Sequence, residues 1–385
     1  MKIRLKNRKN IIVLRYTFLQ LITLQTFQLF NFIFMCYIQQ INVKGFEEPK
    51  TILFWTSWFN RTTVEEELQI SFDGCPINNC RTTQDRSKVN ESDAVFFHIY
   101  YVDKLEPLPT YRRPDQRYIM MSFESPSGPL VDRELFKNIP PHFFNWTATY
   151  RLDSELFRKS IYGGNFKKNE NVSHYSGRPL LNDYYGINIT SKNKSVAWFA
   201  SRCKTSINRE GYIAELQKHI PVDVFGKCLS DPKSCPRNNS KKCDDMLHRD
   251  YFFYLSFENS FCPDYVTEKF YRAFETGTVP VVFGGGNYSS FAPDHSYINA
   301  RDFKSPKLLA EYLNKLTLDR DLYSHYFDWR RDFNLESKAT QLKKNSCKLC
   351  EMLHDPTLPT KSYPNIEEWW YEDLPCENFS WPTES

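Results

Sequence analysis

The sequence carries little net charge, and the small excess lies mostly at one end. Its 385 residues include 50 Lys and Arg against 46 Asp and Glu, which gives a formal net charge of +4. Once the basic arm at the N-terminus is set aside, no basic face remains, so we expect no nucleic-acid partner. Six basic residues make up that arm: Lys2, Arg4, Lys6, Arg8, Lys9 and Arg15.

Repeats and metal- or phosphate-binding motifs are also missing. No period of solenoid type is visible, which excludes a repeat protein. The eight histidines show no metal-ligand spacing. The triple glycine 284–286 lacks the spacing of either nucleotide-binding fingerprint, so we interpret it as a tight turn. His98, which follows an apolar run, suits a protein core as well as the wall of a cleft.

Residues 16–38 lack any charged side chain over 23 positions. As a helix they would reach ~35 Å, enough to cross a bilayer. Because the basic arm precedes this stretch, the positive-inside rule places the N-terminus in the cytosol and the body in the lumen. We therefore expect a cytosolic tail (1–15), a transmembrane signal-anchor (16–38) in the lipid bilayer and a short stem (39–50). A cleaved signal peptide is the alternative, but the stretch is long and has no small-x-small cleavage site.

Potential N-glycosylation sites are numerous, which agrees with a lumenal body. One N-x-S/T tripeptide can occur by chance, but this number favours the secretory route. The nine sites begin at Asn60, Asn90, Asn145, Asn171, Asn188, Asn193, Asn238, Asn287 and Asn378.

Ten cysteines follow the apolar segment, and four of them form two close pairs. Cys75 and Cys80 lie near the start of the body, whereas Cys347 and Cys350 lie near its end. Two such pairs could form a four-thiolate zinc site. Their wide separation and an oxidising compartment favour disulfides instead. Bridges between the two pairs would tie the end of the chain to its first domain.

Strand and helix patterns alternate along the body and indicate an α/β fold. Short, almost continuous apolar runs are typical of parallel strands buried on both faces, and we expect strands at 51–55, 94–100, 117–123, 196–201, 222–226, 251–258 and 279–286. We interpret 163–194 as a linker or the exposed entrance to a second domain. The pattern predicts two Rossmann-like lobes with a cleft beyond the carboxyl ends of the strands.

The stretch PDYVTEKFYRAF (263–274) places Glu268 and Lys269 where a helix should begin. Thr267 is a plausible N-cap and Gly277 a suitable C′ residue. Glu suits the electropositive start of a helix, but Lys does not. A bound anion such as a diphosphate would explain the Lys, although an ordinary amphipathic helix with two solvated charges is the simpler alternative.

The longer run FENSFCPDYVTEKFYRAFETGTVPVVFG resembles the donor-binding motif of the α1,3-fucosyltransferases, glycosyltransferase family 10. The resemblance extends over the whole body of the chain. Further similar segments follow in the same order, at 82–98, 122–127, 144–156, 161–164, 196–203 and 347–354. It implies a two-lobed GT-B-like fold, GDP-fucose as the donor, and inverting transfer to the 3-hydroxyl of GlcNAc.

By position, the resemblance assigns the donor contacts to Arg209, Asn259, Tyr265, Glu268 and Lys269, with Glu258 and Ser260 beside them in the same loop. This assignment agrees with the chemistry, because negative charge grows on the departing diphosphate. A guanidinium can grip phosphate as a fork and an ammonium as a point charge. Stabilising that growing charge is usually the largest catalytic contribution.

Glu124, in the segment SFESPS, matches the catalytic carboxylate of the family. An inverting displacement needs a base for the incoming hydroxyl on the face opposite the leaving group. The alternative is that Glu124 serves the turn before Pro126. GDP is a good leaving group, so one carboxylate suffices.

No cofactor is expected to be required. Asp319 and Asp321 match the DxD pattern of metal-dependent glycosyltransferases, but they lie in a strongly helical stretch and are best explained as solvated surface charge. Because cations are already present at the predicted diphosphate site, we expect a divalent ion such as Mn²⁺ at most to stimulate turnover.

The sequence thus predicts six segments: the tail, anchor and stem described above, an acceptor-side lobe (51–165), a donor-binding lobe (166–345) and a disulfide-bonded return segment (346–385). The resemblance implies a type II Golgi membrane enzyme that acts on glycoprotein glycans. Segment 54–69 departs from the vertebrate-like pattern of the family, and segment 75–80 resembles its invertebrate and core-type members. The resemblance therefore favours the N-glycan core over outer-chain LacNAc units as the acceptor. A catalytically silent glycan-binding relative and an enzyme with another nucleotide sugar are the remaining alternatives.

Overall fold

The computed structural model describes residues 48–56, 68–101, 107–128, 133–170, 179–228, 235, 240–379 and 381. The expected tail and signal-anchor, and the stem up to residue 47, lie outside this part. None of the helices within it combines the length and apolar character needed to cross a membrane. Residues from Lys50 onward form one compact unit.

The first sheet contains six parallel strands in the order β2-β1-β3-β4-β5-β6. Its central strands read as apolar runs because both of their faces are covered, and every residue of β3 is buried. The strands are β1 (Lys50–Phe54), β2 (Cys80–Thr83), β3 (Ala94–His98), β4 (Arg117–Ser122), β5 (Trp146–Thr149) and β6 (Leu156–Phe157).

The second sheet contains five parallel strands in the order β12-β11-β10-β8-β9. A separate antiparallel pair joins β7 to β13. The remaining strands are β7 (Phe166–Lys168), β8 (Lys194–Phe199), β9 (Val222–Phe225), β10 (Tyr251–Phe257), β11 (Val279–Phe283), β12 (Ile298–Asn299) and β13 (Phe333–Leu335). All the strands expected from the apolar runs are present, so the two parallel α/β sheets are confirmed.

The α-helices of the described residues belong mainly to the second half of the chain. They are α1 (Arg209–Gln217), α2 (Ser240–Asp250), α3 (Glu268–Glu275), α4 (Pro306–Leu318), α5 (Arg320–Ser324), α6 (Trp329–Asp332), α7 (Lys338–His354) and α8 (Ile366–Tyr371). Short 3-10 helices lie at Arg86–Lys88, Ile99–Tyr101, Arg133–Phe136, Arg158–Ile161, Ile189–Ser191, Tyr288–Ser290, Ala300–Asp302 and His325–Phe327.

Helix α3 begins and ends where the sequence predicts. Its buried face carries Phe270, Ala273 and Phe274 and packs against β10 and β11. Gly277 adopts φ +61°, the left-handed conformation that ends many helices. Thr267 occupies the N-cap position, but its hydroxyl makes no capping hydrogen bond and instead contacts Glu258.

After the second sheet, the chain returns to the first. Helix α7 crosses residue 345 and packs beside β1 and β6, and its Leu342 and Leu349 join the core of the first sheet. Trp369 and Trp370 of α8 belong to the same core. The first lobe is therefore built from the start of the described chain together with α7 and α8 near its end.

Candidate functional site

A cleft of ≈ 610 Å³ lies at the carboxyl ends of strands from both sheets. Glu124 follows β4 of the first sheet, and Asn259 follows β10 of the second. Parallel strands direct their ends to one edge, which is where open α/β sheets bind ligands. Six of the predicted site residues line this cleft: Glu124, Arg209, Asn259, Tyr265, Glu268 and Lys269.

The other two predicted residues, Glu258 and Ser260, lie behind the cleft wall and are buried. The Glu258 carboxylate accepts hydrogen bonds from the backbone N–H of Thr267 (2.8 Å) and from the Lys269 ammonium (3.1 Å). Glu268 lies 3.4 Å from the same ammonium. Burial opposes the charged form of Lys269, but the two carboxylates outweigh it and raise the pKa of Lys269. The Lys at this helix start is thus explained by an ion pair within the protein.

Arg209 is the first residue of α1, and only 2% of it is exposed. Its Nη1 donates to the carbonyl of Phe257, and its Nη2 donates to the carbonyl of Arg202 at 3.2 Å. The buried Nε finds no partner. Burial lowers the pKa of this guanidinium, which nevertheless stays charged in proteins. Among the described residues no carboxylate forms an ion pair with Arg209, so its charge is available to an anion.

Glu124 faces the second lobe across the cleft. The hydroxyl of the buried Tyr265 donates to the Glu124 carboxylate at 3.4 Å. Burial raises the pKa of Tyr265 well above its ordinary value, so the phenol is neutral. No backbone N–H in the described part of the chain donates to this carboxylate, so a turn-capping role has no support. Beside it, the hydroxyls of Ser125 and Ser260 lie 2.7 Å apart and join the lobes.

The cleft also presents an unsatisfied acceptor, because the buried Oδ1 of Asn259 has no hydrogen-bond partner. A ligand with an N–H or O–H group would satisfy it. Glu268, more than half exposed, offers a carboxylate at the rim. Together, cations for an anion, acceptors for hydroxyl or amino groups, and one carboxylate on the opposite wall suit a phosphorylated, sugar-bearing ligand.

The cleft lining also includes residues that were not among the predicted contacts, and Arg202, Tyr254 and Arg272 are three of them. Arg272 follows Lys269 by three residues, the spacing that brings two side chains to one helix face, and could have been found from it. Arg202 belongs to the similar segment 196–203. Tyr254 carries no such signal, because it is one of seven consecutive buried residues in β10.

The two cysteine pairs are bridged as predicted, with disulfides between Cys75 and Cys347 and between Cys80 and Cys350. The zinc alternative is wrong, because a disulfide sulfur is not a thiolate ligand. The other six cysteines of the body also pair, as Cys203–Cys228, Cys235–Cys243 and Cys262–Cys376.

The glycosylation candidates fall into three groups. Asn145 must be corrected, because its side chain is buried, its Nδ2 donates to the carbonyl of Lys361 (2.8 Å), and a glycan has no room there. Five candidates are exposed: Asn90, Asn188, Asn193, Asn287 and Asn378. Three lie outside the described residues: Asn60, Asn171 and Asn238.

Two other motifs have local structural roles. The Asp319 carboxylate accepts from the backbone N–H of Leu322 and caps α5. Gly285 lies against the backbone of the 261–262 segment, where an added Cβ would come within 2.6 Å of Phe261. The close approach explains why a glycine stands at this turn.

Two family models match the chain, "Fucosyltransferase, N-terminal" over residues 47–162 and "Glycosyltransferase family 10 (fucosyltransferase) C-term" over residues 189–369. With the parallel sheets and the cleft, these matches define a glycosyltransferase. The chain belongs to glycosyltransferase family 10, the fucosyltransferases.

Similar curated proteins carry related names. "Alpha-(1,3)-fucosyltransferase C" of Drosophila melanogaster is 36% identical over 84% of this chain and 78% of its own length. "Glycoprotein 3-alpha-L-fucosyltransferase A" of the same organism is 33% identical over 80% of this chain and 57% of its own length. "4-galactosyl-N-acetylglucosaminide 3-alpha-L-fucosyltransferase 9" of Mus musculus is 34% identical, with 83% and 82% covered.

Proposed function

We propose that the enzyme transfers L-fucose from GDP-β-L-fucose, with inversion, to the 3-hydroxyl of a GlcNAc residue in glycoprotein glycans. One observation carries the proposal: Glu124 on one wall of the cleft faces Arg209 and Lys269 on the other. The Glu124 carboxylate takes the proton of the acceptor hydroxyl as its oxygen bonds to the anomeric carbon. The bond from that carbon to the β-phosphate oxygen breaks, and its electron pair leaves with GDP.

The second wall stabilises the departing charge. Arg209 has no carboxylate partner among the described residues and retains unused N–H groups for phosphate oxygens. Lys269, held by Glu258, contributes a fixed positive charge that needs no rearrangement during the reaction. Glu268 at the rim suits the ribose diol of the nucleotide.

Replacing Glu124 with Gln tests the assignment of the base. The amide keeps the shape of the carboxylate but cannot accept the proton, so the variant should fold and bind GDP. Its fucose transfer should fall by a factor on the order of 10² or more. Activity and GDP binding would be measured on the same preparation. Near-normal turnover with labelled GDP-fucose would remove Glu124 from this role.

For the acceptor we propose the N-glycan core. The support is the resemblance of segment 75–80 to the core-type members of the family. The two cysteines of this segment are bridged to α7. Most of the other candidate segment, residues 57–67, lies outside the described part. Outer-chain LacNAc is the alternative, and an acceptor panel that compares a core glycopeptide with LacNAc distinguishes them. Absence of transfer to either acceptor would favour a silent glycan-binding relative. Competition by UDP as strong as that by GDP would indicate another donor.

We propose further that the enzyme needs no metal and resides in the Golgi membrane as a single-pass type II protein. The charges of Arg209 and Lys269 support the first point, and the uncharged stretch after the basic arm supports the second. Activity should survive EDTA, with at most a moderate stimulation by Mn²⁺. Loss in EDTA with rescue by Mn²⁺ would contradict metal independence. Protease digestion of sealed membranes should leave the body intact.

A further inference from the structure

The last described residues, 376–379 and 381, run across the second lobe and are called here the C-terminal strap. A disulfide joins Cys376 to Cys262. The backbone N–H of Glu377 donates to the carbonyl of Phe261 at 2.8 Å. The Glu377 carboxylate accepts two hydrogen bonds from Arg301, the shorter at 2.9 Å. The strap is therefore attached to the loop that follows β10, which carries Glu258 and Asn259.

The far end of the strap is attached to the start of α1. The backbone N–H of Trp381 donates to the carbonyl of Ile207 (2.9 Å), and its own carbonyl accepts from Nδ2 of Asn208 (2.8 Å). The Trp381 ring packs on the ring of Tyr212, with centroids 4.7 Å apart. One chain segment thus reaches two of the elements that form the second wall of the cleft, the loop after β10 and the start of α1.

Asn208 transmits this attachment to the site. It adopts the left-handed conformation, with φ +49°, and its Oδ1 accepts from the backbone N–H of Gly211 at 3.2 Å, which caps α1. Because Nδ2 is held by the Trp381 carbonyl, the strap fixes the amide that caps the helix. The next residue is Arg209, whose Nη1 donates to the end of β10.

We propose that the C-terminal strap belongs to the donor site, and that Asn208 and Trp381 are positioning residues for Arg209. The inference rests on the proposed use of GDP-fucose and adds two residues that do not line the cleft. Displacing a binding group by about 1 Å can cost about 10²-fold in rate or affinity. Loss of the strap contact should therefore weaken the binding of the diphosphate by Arg209 without displacing Glu124.

Three substitutions in the full chain test the proposal. Trp381→Ala removes the ring that packs on Tyr212, whereas Trp381→Phe keeps an aromatic ring there; both variants retain the backbone groups of residue 381. Asn208→Gly keeps the left-handed conformation at small cost to the cap but removes the link to Trp381. Leu318→Ala, at an exposed side chain outside the cleft lining, is the control. Thermal stability, the Kd for GDP, and kcat and KM for GDP-fucose would be measured for each.

We expect Trp381→Ala and Asn208→Gly to raise the KM for GDP-fucose and the Kd for GDP roughly tenfold. Because Arg209 also stabilises the departing charge, kcat should fall as well or stay unchanged. Trp381→Phe and Leu318→Ala should match the wild type. Unchanged KM for GDP-fucose and unchanged Kd for GDP in both strap variants would overturn the inference, whatever the kcat, because a partly unfolded sample lowers only the apparent kcat. A wild-type protein that binds no GDP would instead refute the proposed function, and the inference with it.

Discussion

At the scale of single residues, Lys269 shows that an unusual residue can be recognised correctly from the sequence while its partner is not. A cation at a helix start indicates an anion nearby, and the sequence offered a diphosphate as that anion. In the structure the anion is Glu258, buried behind the helix and followed in the chain by Asn259 and Ser260. Spacing in the sequence cannot reveal this pair, because the two residues are 11 positions apart and meet only when β10 packs against α3.

Removal of the Lys269 charge should destabilise the fold as well as the site. In Lys269→Met the fully buried Glu258 loses its cation, and breaking such a pair from one side costs about 3 kcal/mol of unfolding free energy. Adding Glu258→Gln should restore most of the stability but not the activity. Lys307→Met, at the same second position of α4 but exposed, is the matched control. Denaturant unfolding would measure all four proteins. A change below about 0.5 kcal/mol in Lys269→Met would contradict the ion-pair account.

His98 supplies a second residue-scale prediction, for which the sequence left core and cleft wall equally open. The structure buries it at the end of β3, and burial lowers its pKa to about 3 from 6.5. Below pH 6.5 the His98 imidazole is protonated in the unfolded chain, whereas in the folded chain it stays neutral until about pH 3. Stability from this group is therefore complete above pH 6.5 and is lost as the pH falls.

The slope from His98 reaches at most about 1.4 kcal/mol per pH unit between those two values. His98→Gln should flatten the pH dependence of unfolding free energy between pH 6.5 and pH 4.5, measured with urea at fixed ionic strength. Comparing slopes rather than absolute values separates the proton effect from lost packing. Equal slopes in the variant and the wild type would show that His98 ionises normally in the folded protein.

At the scale of elements, hydrophobic periodicity predicts the helices and strands that local sequence determines. It misses the structure that depends on contacts between distant segments. Seven strands of the two sheets follow from apolar runs, whereas β2, β5, β6 and β12 were not predicted. Helix α3 follows from the i, i+3, i+4 spacing of Phe270, Ala273 and Phe274. By contrast, β7 forms only because β13 pairs with it from more than 160 positions away. The burial of Asn145 likewise depends on the returning segment near Lys361.

The glycine at the end of the first lobe tests how closely that lobe approaches α3. A Cβ on Gly163 would lie 1.9 Å from Cγ of Tyr271, so Gly163→Ala forces a shift at this contact, and we expect the helix that carries Glu268 and Lys269 to move. We expect a loss of about 2 kcal/mol in unfolding free energy and a higher KM for GDP-fucose.

Adding Tyr271→Ala, which removes Cγ and both Cδ atoms, should relieve the contact, so that the double variant is more stable than the sum of the two single effects predicts. A double-mutant cycle, read by denaturant unfolding and by KM, checks this. Strict additivity would mean that the backbone near Gly163 adjusts without moving α3.

At the scale of the whole molecule, the described chain passes from the first sheet to the second and back, and disulfides join the distant parts. The bridges Cys75–Cys347 and Cys80–Cys350 attach α7 to the first lobe across about 270 residues. The bridge Cys262–Cys376 attaches the strap to the second lobe. The two close pairs predicted bridges between the ends of the body, although not which cysteine of one pair bonds with which of the other. Pairing of the other cysteines was not predictable, because nothing in their spacing indicates which residues meet.

Replacing each kind of disulfide with a pair of alanines should have different effects on stability and on donor binding. Cys75→Ala with Cys347→Ala lengthens the free chain of the unfolded state, so unfolding free energy should fall by about 2–5 kcal/mol. The KM for GDP-fucose should not change, since neither residue lines the cleft. Cys262→Ala with Cys376→Ala frees the strap beside the loop that carries Asn259, so the KM should rise as well as the stability fall. For both double variants, denaturant unfolding would measure the unfolding free energy, and donor titration would measure the KM for GDP-fucose. A similar rise in KM in the two variants would mean that the disulfides act only through general stability, and that the strap has no separate role at the donor site.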